Sequence, residues 1–266
     1  MEILIAVLLL AALGLFFGAG LAWAGKKFSV SSDPRLEKVI QMLPGANCGA
    51  CGMPGCVGFA EGLVQGGFGI ERCPVTQADA RKQIAKILGI EFEEKQRQVA
   101  VLHCGGAKNK VKDKFQYWGI KDCVTANMLM SGPKGCAYGC IGLATCVRVC
   151  PFGAISMGPD GLPVVAEDKC MACNKCVEAC PKGLFSLVPY SSRVVVACRS
   201  RDLGKVTKAV CSVGCIACRL CERACKFDAI KVINNVAVID YQRCTSCGDC
   251  VKVCPSHTIF KKDKER

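Results

Sequence analysis

The sequence has few aromatic side chains and almost no histidine. Phenylalanine, tryptophan and tyrosine make up 6% of the 266 residues, and His103 and His257 are the two histidines. So few aromatic rings predict a thin conventional core, and something else has to hold the second half of the chain together. The scarcity of histidine leaves no Ser–His–Asp arrangement to argue for. We interpret His103, which adjoins Cys104, as a packed core histidine rather than a ligand.

The sequence also lacks the glycine-rich motifs of nucleotide-binding proteins. It contains no G-x-x-x-x-G-K-[ST] segment, and no G-x-G-x-x-G segment follows a strand. No paired-carboxylate arrangement can be argued either. We therefore expect no flavin, no NAD or other nucleotide and no organic substrate to bind this chain, which predicts a conduit between other proteins rather than a complete enzyme.

Charge is absent from residues 3–24, ILIAVLLLAALGLFFGAGLAWA. The run is long enough to cross a bilayer as a helix, and Lys26 and Lys27 follow it, while Glu2 is the one charge before it. The positive-inside rule then places the N-terminus outside and the rest of the chain in the cytoplasm. A cleaved signal peptide is the alternative, but the run is too long and lacks a basic n-region. A single span forms no pore, so any ion path needs other subunits.

Cysteine is what the sequence has in abundance, with 24 residues. A C-x2-C-x2-C-x3-C-P motif occurs twice, a third copy has Lys226 in place of the proline, and a looser copy reads C-x3-C-x5-C-x3-C. In chain order the looser copy comes first, and the four copies comprise Cys136, Cys140, Cys146, Cys150; Cys170, Cys173, Cys176, Cys180; Cys215, Cys218, Cys221, Cys225; and Cys244, Cys247, Cys250, Cys254.

This spacing is typical of bacterial ferredoxins that hold two 4Fe-4S clusters. The first three cysteines of a copy bind one cluster, and the fourth cysteine completes the other cluster of the pair. The predicted ligand sets are therefore Cys136, Cys140, Cys146 with Cys180; Cys170, Cys173, Cys176 with Cys150; Cys215, Cys218, Cys221 with Cys254; and Cys244, Cys247, Cys250 with Cys225.

The segments between the motif copies predict β-hairpins. After Cys150 and after Cys225 the sequence gives a short strand, a polar turn (PDG or NN) and a second strand. The chain also repeats itself at a period of about 75 residues, which relates Cys170 to Cys244. Two hairpins between cluster-binding loops are what two bacterial ferredoxin repeats require.

A different cysteine pattern lies upstream, in NCGACGMPGC and a later CP. It supplies Cys48, Cys51, Cys56 and Cys73, and the glycines between them let the backbone approach the sulfurs closely. Residues 34–43 and 77–88 are predicted helices on either side. We interpret this region as a separate small domain with a single 4Fe-4S cluster.

Four cysteines fall outside these patterns: Cys104, Cys123, Cys198 and Cys211. Cys104 and Cys198 each end an apolar run, and the other two each lie in a helical stretch downstream. This two-fold resemblance suggests a sixth cluster on the four thiols. Buried free thiols are the alternative, because cysteine is a common core residue.

Zinc and disulfides are the chemical alternatives to iron and sulfide. Zinc ribbons rarely repeat this motif with hairpins between the copies, and disulfides need an oxidising compartment. Clusters also account for the formal charge of +13. A 4Fe-4S cluster on four thiolates carries about −2, so six clusters would offset about −12. The basic excess is then mostly local compensation, and nucleic-acid binding loses its main support.

Together these patterns predict an α+β chain with one N-terminal transmembrane helix, a small 4Fe-4S domain and two ferredoxin-like units of βαββαβ type, each with two clusters. The predicted division is an anchor at 1–25, a linker at 26–40, the single-cluster domain at 41–95, a connecting segment at 96–132, the first ferredoxin-like unit at 133–190, a connecting segment at 191–210, the second unit at 211–260 and a charged tail at 261–266.

The lone span, the NCGACGMPGC domain and the ferredoxin repeats together resemble the B subunits of Rnf electron-transport complexes. The resemblance runs essentially the whole length, and FQYWGIKDCVTANML and the second ferredoxin-like unit are similar to the longer versions of anaerobic bacteria. It implies a subunit in the inner membrane that takes electrons from reduced soluble ferredoxin. It also implies partner subunits that reduce NAD and export sodium or protons. Lys226 departs from the family's proline, which alters a turn and not a ligand.

Two other functions stay open at the level of the sequence. One is an electron-transfer subunit of a different membrane oxidoreductase, such as a hydrogenase or formate system, although such subunits usually lack a domain like the one around Cys48. The other is a zinc scaffold tethered to membrane lipid, with no redox role.

Overall fold

The computed structural model describes residues 2–27, 33–90 and 96–262. Its first element is helix α1, Glu2–Lys27, whose side chains from Val7 to Trp23 are exposed. Within the described residues, α1 is the one helix long and apolar enough to cross a membrane, with the candidate span Val7–Lys27. Parts of the predicted linker, the end of the predicted single-cluster domain and most of the predicted tail lie outside the described residues.

Three helices build the small domain that follows. They are α2, Pro34–Met42; α3, Cys56–Val64; and α4, Ala78–Leu88, with a 3-10 turn at Ile70–Arg72. Helix α2 begins after Asp33, whose carboxylate accepts the backbone N–H of Arg35 at 2.8 Å, a favourable N-cap. The fully buried core residues include Val39, Phe59, Ile70 and Ile84. Both helices predicted beside the cysteine pattern are therefore confirmed.

The first ferredoxin-like unit follows the order βαββαβ, with one extra helix after its first strand. Its elements are β1, Gln98–Leu102; α5, Cys123–Met128; α6, Thr145–Arg148; β2, Ile155–Met157; β3, Pro163–Val165; α7, Lys175–Glu178; and β4, Phe185–Pro189. Strand β1 pairs antiparallel with β4, from Gln98 opposite Pro189 to Leu102 opposite Phe185. Strands β2 and β3 form the hairpin predicted between the first two motif copies.

The second unit repeats this order. Its elements are β5, Val194–Val196; α8, Gly204–Val210; α9, Leu220–Ala224; β6, Ile230–Ile233; β7, Val236–Ile239; α10, Asp249–Lys252; and β8, Ile259–Lys261. Strand β5 pairs antiparallel with β8, and β6 pairs with β7 across the turn at Asn234 and Asn235. Both predicted hairpins and the predicted α+β class are therefore confirmed.

Each unit begins further upstream than the motif spacing indicates. Strands β1 and β5 lie in the predicted connecting segments 96–132 and 191–210, yet they pair with β4 and β8, the last strands of the two units. The spacing of cysteines carries no signal for these strands, because each strand's partner lies at the far end of its unit.

The two units meet through the segments that follow β1 and β5. The backbone N–H of Gly105 donates to the carbonyl of Ala197 at 2.9 Å. The Nδ1 atom of His103 lies 2.8 Å from the carbonyl oxygen of Val196. These contacts bring Cys104 and Cys198, which each lie two residues after the end of a strand, to the junction between the units.

The sheets of this fold are too small to be stable alone. Within the described residues, each of the four sheets has two strands, and the strands have three to five residues. We therefore expect anaerobic removal of iron and sulfide by a chelator to unfold both ferredoxin-like units, as loss of amide-exchange protection and of circular dichroism would show. Anaerobic reconstitution with iron and sulfide should restore both signals. A chelated protein that keeps its protected strands would contradict this expectation.

Candidate iron–sulfur sites

Four cavities in the described part of the chain are each lined by four cysteines. Their empty volumes are about 400, 340, 320 and 370 Å³, so the four spaces are alike in size. In the same order the cysteines are Cys123, Cys140, Cys146, Cys180; Cys225, Cys244, Cys247, Cys250; Cys215, Cys218, Cys221, Cys254; and Cys104, Cys136, Cys198, Cys211. Four thiols around one space form the donor set of a 4Fe-4S cluster, so these residues fit that cofactor.

Two further groups of four cysteines lie in packed cores. Burial raises the pKa of Cys173, and the nearby charges of Cys150 and Cys170 add to the effect. Burial likewise raises the pKa of Cys176, with the charges of Cys170 and Cys173 adding to it. In the small domain one core brings together Cys48, Cys51, Cys56 and Cys73. In these two groups and in both groups of the second unit, the cysteines that lie together are those that the sequence assigned to one ligand set, and their role as ligands stays a prediction.

The remaining two groups differ from the prediction by an exchange of one cysteine. The motif spacing assigned Cys136 to the set of Cys140, Cys146 and Cys180, but Cys123 lies there instead. Cys136 lies with Cys104, Cys198 and Cys211, in the place that the two-fold pattern assigned to Cys123. Each of the two groups still has four cysteines, but one cysteine in each differs from the prediction.

The backbone of the motifs explains the exchange. In the three regular copies, the residue two positions after the first cysteine and the residue after the second cysteine have positive φ: Ala172 and Asn174, Ala217 and Arg219, Ser246 and Gly248. These residues curl the loop around the cofactor space, as backbone nests do at anion and iron–sulfur sites. In the looser copy the equivalent residues are Gly142 and Ala144, at φ 84° and 60°.

This equivalence makes Cys140 and Cys146 the first and third cysteines of the looser copy. The position of the second cysteine is then occupied by Leu143. Cys123, the first residue of α5, supplies the missing thiol from outside the motif. The six-residue step from Cys140 to Cys146, which all copies share, is the signal that would have excluded Cys136 from the motif.

Helix α5 is held beside its motif by side-chain hydrogen bonds. The backbone N–H of Cys123 donates to Thr145 Oγ1 at 2.8 Å, and that hydroxyl donates to the carboxylate of Asp122 at 2.9 Å. Asp122 also caps α5 by accepting the backbone N–H of Thr125 at 3.0 Å. Thr145 begins α6, one residue before Cys146, so the network fixes Cys123 relative to the motif that it completes.

Backbone N–H groups donate to several of the cysteine sulfurs. The N–H four residues after Cys150, Cys180 and Cys225 lies 3.4, 3.5 and 3.3 Å from the sulfur. The N–H of Ala100 donates to Cys170 at 3.4 Å. Such bonds stabilise the thiolate form and raise the reduction potential of a bound cluster.

Burial works against these thiolates when no metal is bound. It raises the pKa of Cys140 and of Cys176 to about 12, so both are neutral thiols at pH 7 in the metal-free chain. Cluster binding therefore has to release protons and supply the positive charge that stabilises the buried sulfurs. Among the described residues, no three His, Cys, Asp or Glu side chains are close enough to hold a single metal ion. Ligands at the corners of a cubane stand further apart than ligands of one ion.

His103 lines the Cys104 cavity, but its ring is fully engaged. Its Nδ1 atom lies 2.8 Å from the Val196 carbonyl, to which it must donate, and its Nε2 atom lies 2.6 Å from Ser186 Oγ. Burial lowers the pKa of His103, which favours the neutral ring. The geometry agrees with the interpretation of His103 as a packed histidine.

Family models match the three cysteine-rich regions. Residues 43–75 match the model described as "Putative Fe-S cluster", and residues 135–184 and 214–259 each match a "4Fe-4S dicluster domain". With the four-cysteine groups, these matches define the class: an iron–sulfur electron-transfer protein with two ferredoxin-like units.

The full-length relatives identify the family. The chain is 47% identical to the B subunit of the ion-translocating oxidoreductase complex of Methanosarcina acetivorans, over 95% of this chain and 96% of that protein. It is 47% identical to the B subunit of the Na(+)-translocating ferredoxin:NAD(+) oxidoreductase complex of Acetobacterium woodii (97% and 77% covered). It is 41% identical to the B subunit of the proton-translocating ferredoxin:NAD(+) oxidoreductase complex of Clostridium ljungdahlii (93% and 88%). The chain belongs to the B-subunit family of Rnf complexes.

This membership confirms the predicted resemblance. It makes the chain an iron–sulfur electron-transfer subunit of a membrane complex, with the other subunits of that complex as partners. The relatives match across the small domain as well as both ferredoxin-like units. This match counts against both alternatives, a subunit of a hydrogenase or formate system and a zinc scaffold.

The role of His103 can be tested by substitution. We expect His103→Ala to leave iron and sulfide content unchanged, because the ring holds strands and not metal. It should lower the free energy of unfolding by about 1–3 kcal/mol, the cost of leaving buried partners without hydrogen bonds. Thermal unfolding and iron analysis of the anaerobic protein measure both quantities. Ser186→Ala, which removes one of the two bonds, is the matched control and should cost less. Loss of a whole cluster from His103→Ala would instead make the ring a ligand.

Proposed function

We propose that this chain conducts electrons from reduced soluble ferredoxin to the membrane-embedded partners of an ion-translocating complex that reduces NAD on another subunit. The observation that carries the proposal is the arrangement of four-cysteine groups in two ferredoxin-like units and in a small domain that follows helix α1 along the chain. The names of two relatives, which both belong to ferredoxin:NAD(+) oxidoreductase complexes, support the donor and the acceptor.

Five 4Fe-4S clusters are part of this proposal. Each bound cluster takes up and releases one electron. The proposed ligand sets are Cys48, Cys51, Cys56, Cys73; Cys150, Cys170, Cys173, Cys176; Cys123, Cys140, Cys146, Cys180; Cys215, Cys218, Cys221, Cys254; and Cys225, Cys244, Cys247, Cys250. The chain's own residues provide the thiolates, exclude water and donate backbone N–H groups to the sulfurs.

The group around Cys247 is the proposed place where electrons enter. Of the 24 cysteines, all within the described residues, Cys247 alone is exposed. The exposed side chains of Lys226 and Arg243 directly follow or precede cysteines of the same group. This surface suits an acidic redox protein, which basic side chains would attract over long range.

The proposed exit is the Cys48 group in the small domain. Helix α2 of this domain begins at Pro34, shortly after α1, so the group is the one nearest the membrane along the chain. Cys173 of the first ferredoxin-like unit packs against the core of the small domain, which supports passage from one to the other. Lys26 and Lys27 at the end of α1 favour an inner-membrane orientation with the N-terminus outside and all cysteines in the cytoplasm.

The coupling ion is proposed to pass through other subunits. One membrane-spanning helix cannot enclose an ion path, and α1 carries no charge between Glu2 and Lys26. The relative with 47% identity belongs to a complex named as Na(+)-translocating, and the relative with 41% identity belongs to one named as proton-translocating. A chain that delivers electrons and does not touch the ion would serve either kind of complex.

Loss of the cluster at the proposed exit tests the order in which electrons pass through the chain. In the complex, Cys51→Ala should abolish ferredoxin-driven NAD⁺ reduction, while reduced ferredoxin still bleaches the visible absorption of the remaining clusters. Stopped-flow absorption and NADH formation measure the two steps separately, and iron analysis checks that only one cluster is lost. Cys247→Ala is the matched control at the other end and should slow the bleaching itself. Normal NAD⁺ reduction by the Cys51→Ala complex would refute the order.

The role of Cys123 predicts a rescue. Cys123→Ala should lose one intact four-iron cluster, because the motif at Cys140 has leucine at its second ligand position. Adding Leu143→Cys should restore the cluster, since the loop already has the backbone of a regular copy. Mössbauer spectroscopy of the anaerobic proteins counts intact clusters. Leu143→Ser in the Cys123→Ala background is the control for a change of side-chain size. A Cys123→Ala protein with every cluster intact would exclude Cys123 as a ligand.

A further inference from the structure

We infer that Cys104, Cys136, Cys198 and Cys211 hold a further 4Fe-4S cluster, which connects the two ferredoxin-like units electrically. The inference rests on the proposed electron-transfer function and deepens it. The family models that match at 135–184 and 214–259 each include at most one of these four cysteines, so the site belongs to neither dicluster unit.

The four thiols come from four chain segments that the fold brings together. Cys104 and Cys198 follow β1 and β5, whose extensions meet through the Gly105-to-Ala197 hydrogen bond of 2.9 Å. Cys211 directly follows α8 and pairs with Val111 in an isolated antiparallel bridge.

One short segment, residues 110–113, connects the other two cysteines. The N–H of Lys112 donates to the Val210 carbonyl at 2.9 Å, next to Cys211. The Lys112 carbonyl accepts the N–H of Gly135 at 2.6 Å, next to Cys136. Lys112 is therefore hydrogen-bonded through its N–H to the residue before Cys211 and through its carbonyl to the residue before Cys136. Both cysteines are buried.

The charge at this cavity points to an anionic occupant. Lys134 lines the cavity and is 8% exposed. Its ammonium group donates to the Gly106 carbonyl at 2.7 Å and has no carboxylate partner among the described residues. A buried cation needs a compensating charge. A cluster on four thiolates, which carries about −2 when oxidised, would supply that charge.

The cavity touches one cluster site of each unit. The backbone N–H of Cys140, a cysteine of the first unit's cavity, donates to Cys104 Sγ at 3.3 Å. On the other side, the backbone N–H of Cys215, a cysteine of the second unit's cavity, lies near the sulfur of Cys198. A single peptide group therefore separates this site from each neighbour.

This position makes the site a junction between the proposed place of electron arrival and the proposed exit. For each electron that passes, the second unit is oxidised by one electron and the first unit is reduced by one. The junction site returns to its starting state, and no proton or bond needs to move.

Pairs of alanine substitutions test which cysteines share a cluster. Six intact clusters, about 24 iron atoms, are expected in the anaerobic full-length protein. Cys198→Ala and Cys136→Ala should each leave five clusters, and the double variant should also leave five. Cys123→Ala with Cys198→Ala should leave four, because those two cysteines lie in different groups. Mössbauer spectroscopy counts the intact clusters.

The opposite result, with four clusters in Cys136→Ala/Cys198→Ala and five in Cys123→Ala/Cys198→Ala, would overturn the inferred ligand set. A wild-type protein with five clusters that Cys198→Ala leaves unchanged would overturn the junction site but leave the proposed function intact. A colourless, iron-free wild-type protein would instead refute the proposed function.

Serine and lysine variants keep the inference testable if alanine variants fold poorly. Cys136→Ser and Cys198→Ser should shift the midpoint potential of the same single cluster in a redox titration followed by electron paramagnetic resonance. Lys134→Met should make the potential of that cluster more negative, because a nearby positive charge is lost. Lys208→Met, on the surface of α8, is the matched control and should shift no potential. Shifts in two different clusters from the two serine variants would overturn the inference.

Discussion

The fold depends on thiolates from distant segments meeting at one place. In each ferredoxin-like unit the fourth cysteine of one motif joins the group of cysteines at the other motif, so the proposed clusters tie the two halves of a unit together. Cys150 and Cys180 cross in this way on either side of the β2–β3 hairpin. The strands are too short and the hydrophobic core too thin in aromatic side chains to hold that arrangement alone. The cofactor is therefore a structural element as much as a redox one.

Burial of anionic sulfur explains much of the polar structure around these groups. Sulfur atoms receive backbone N–H groups at a constant offset of four residues after Cys150, Cys180 and Cys225. Lys134 places a buried ammonium group at the junction. A chain with a formal charge of +13 can be understood in the same terms, because anionic cofactors offset a large part of that charge.

The sequence predicts the local elements of this fold well and the long-range contacts less well. The helices beside the Cys48 pattern and both hairpins follow from short-range patterns, because their apolar periods and turn residues lie within one segment. Strands β1 and β5 are missed because each pairs with a strand at the far end of its unit. The grouping of Cys123 and Cys136 is missed for a similar reason. Motif spacing orders cysteines along the chain, whereas a thiol from a separate helix enters a group only through tertiary packing.

The difference between the predicted and observed groups follows from a single difference between the units. The second unit has Cys218 at the middle position of its first motif, where the first unit has Leu143. The first unit therefore uses Cys123, from a separate helix, to complete its own site. Cys136 lies four residues before Cys140, as Cys211 lies four residues before Cys215, so the junction group is built from equivalent residues of the two units. The change at position 143 thus affects the source of one thiol in the first unit and leaves the two-fold junction intact, because Cys136 was never part of the motif that Cys123 completes.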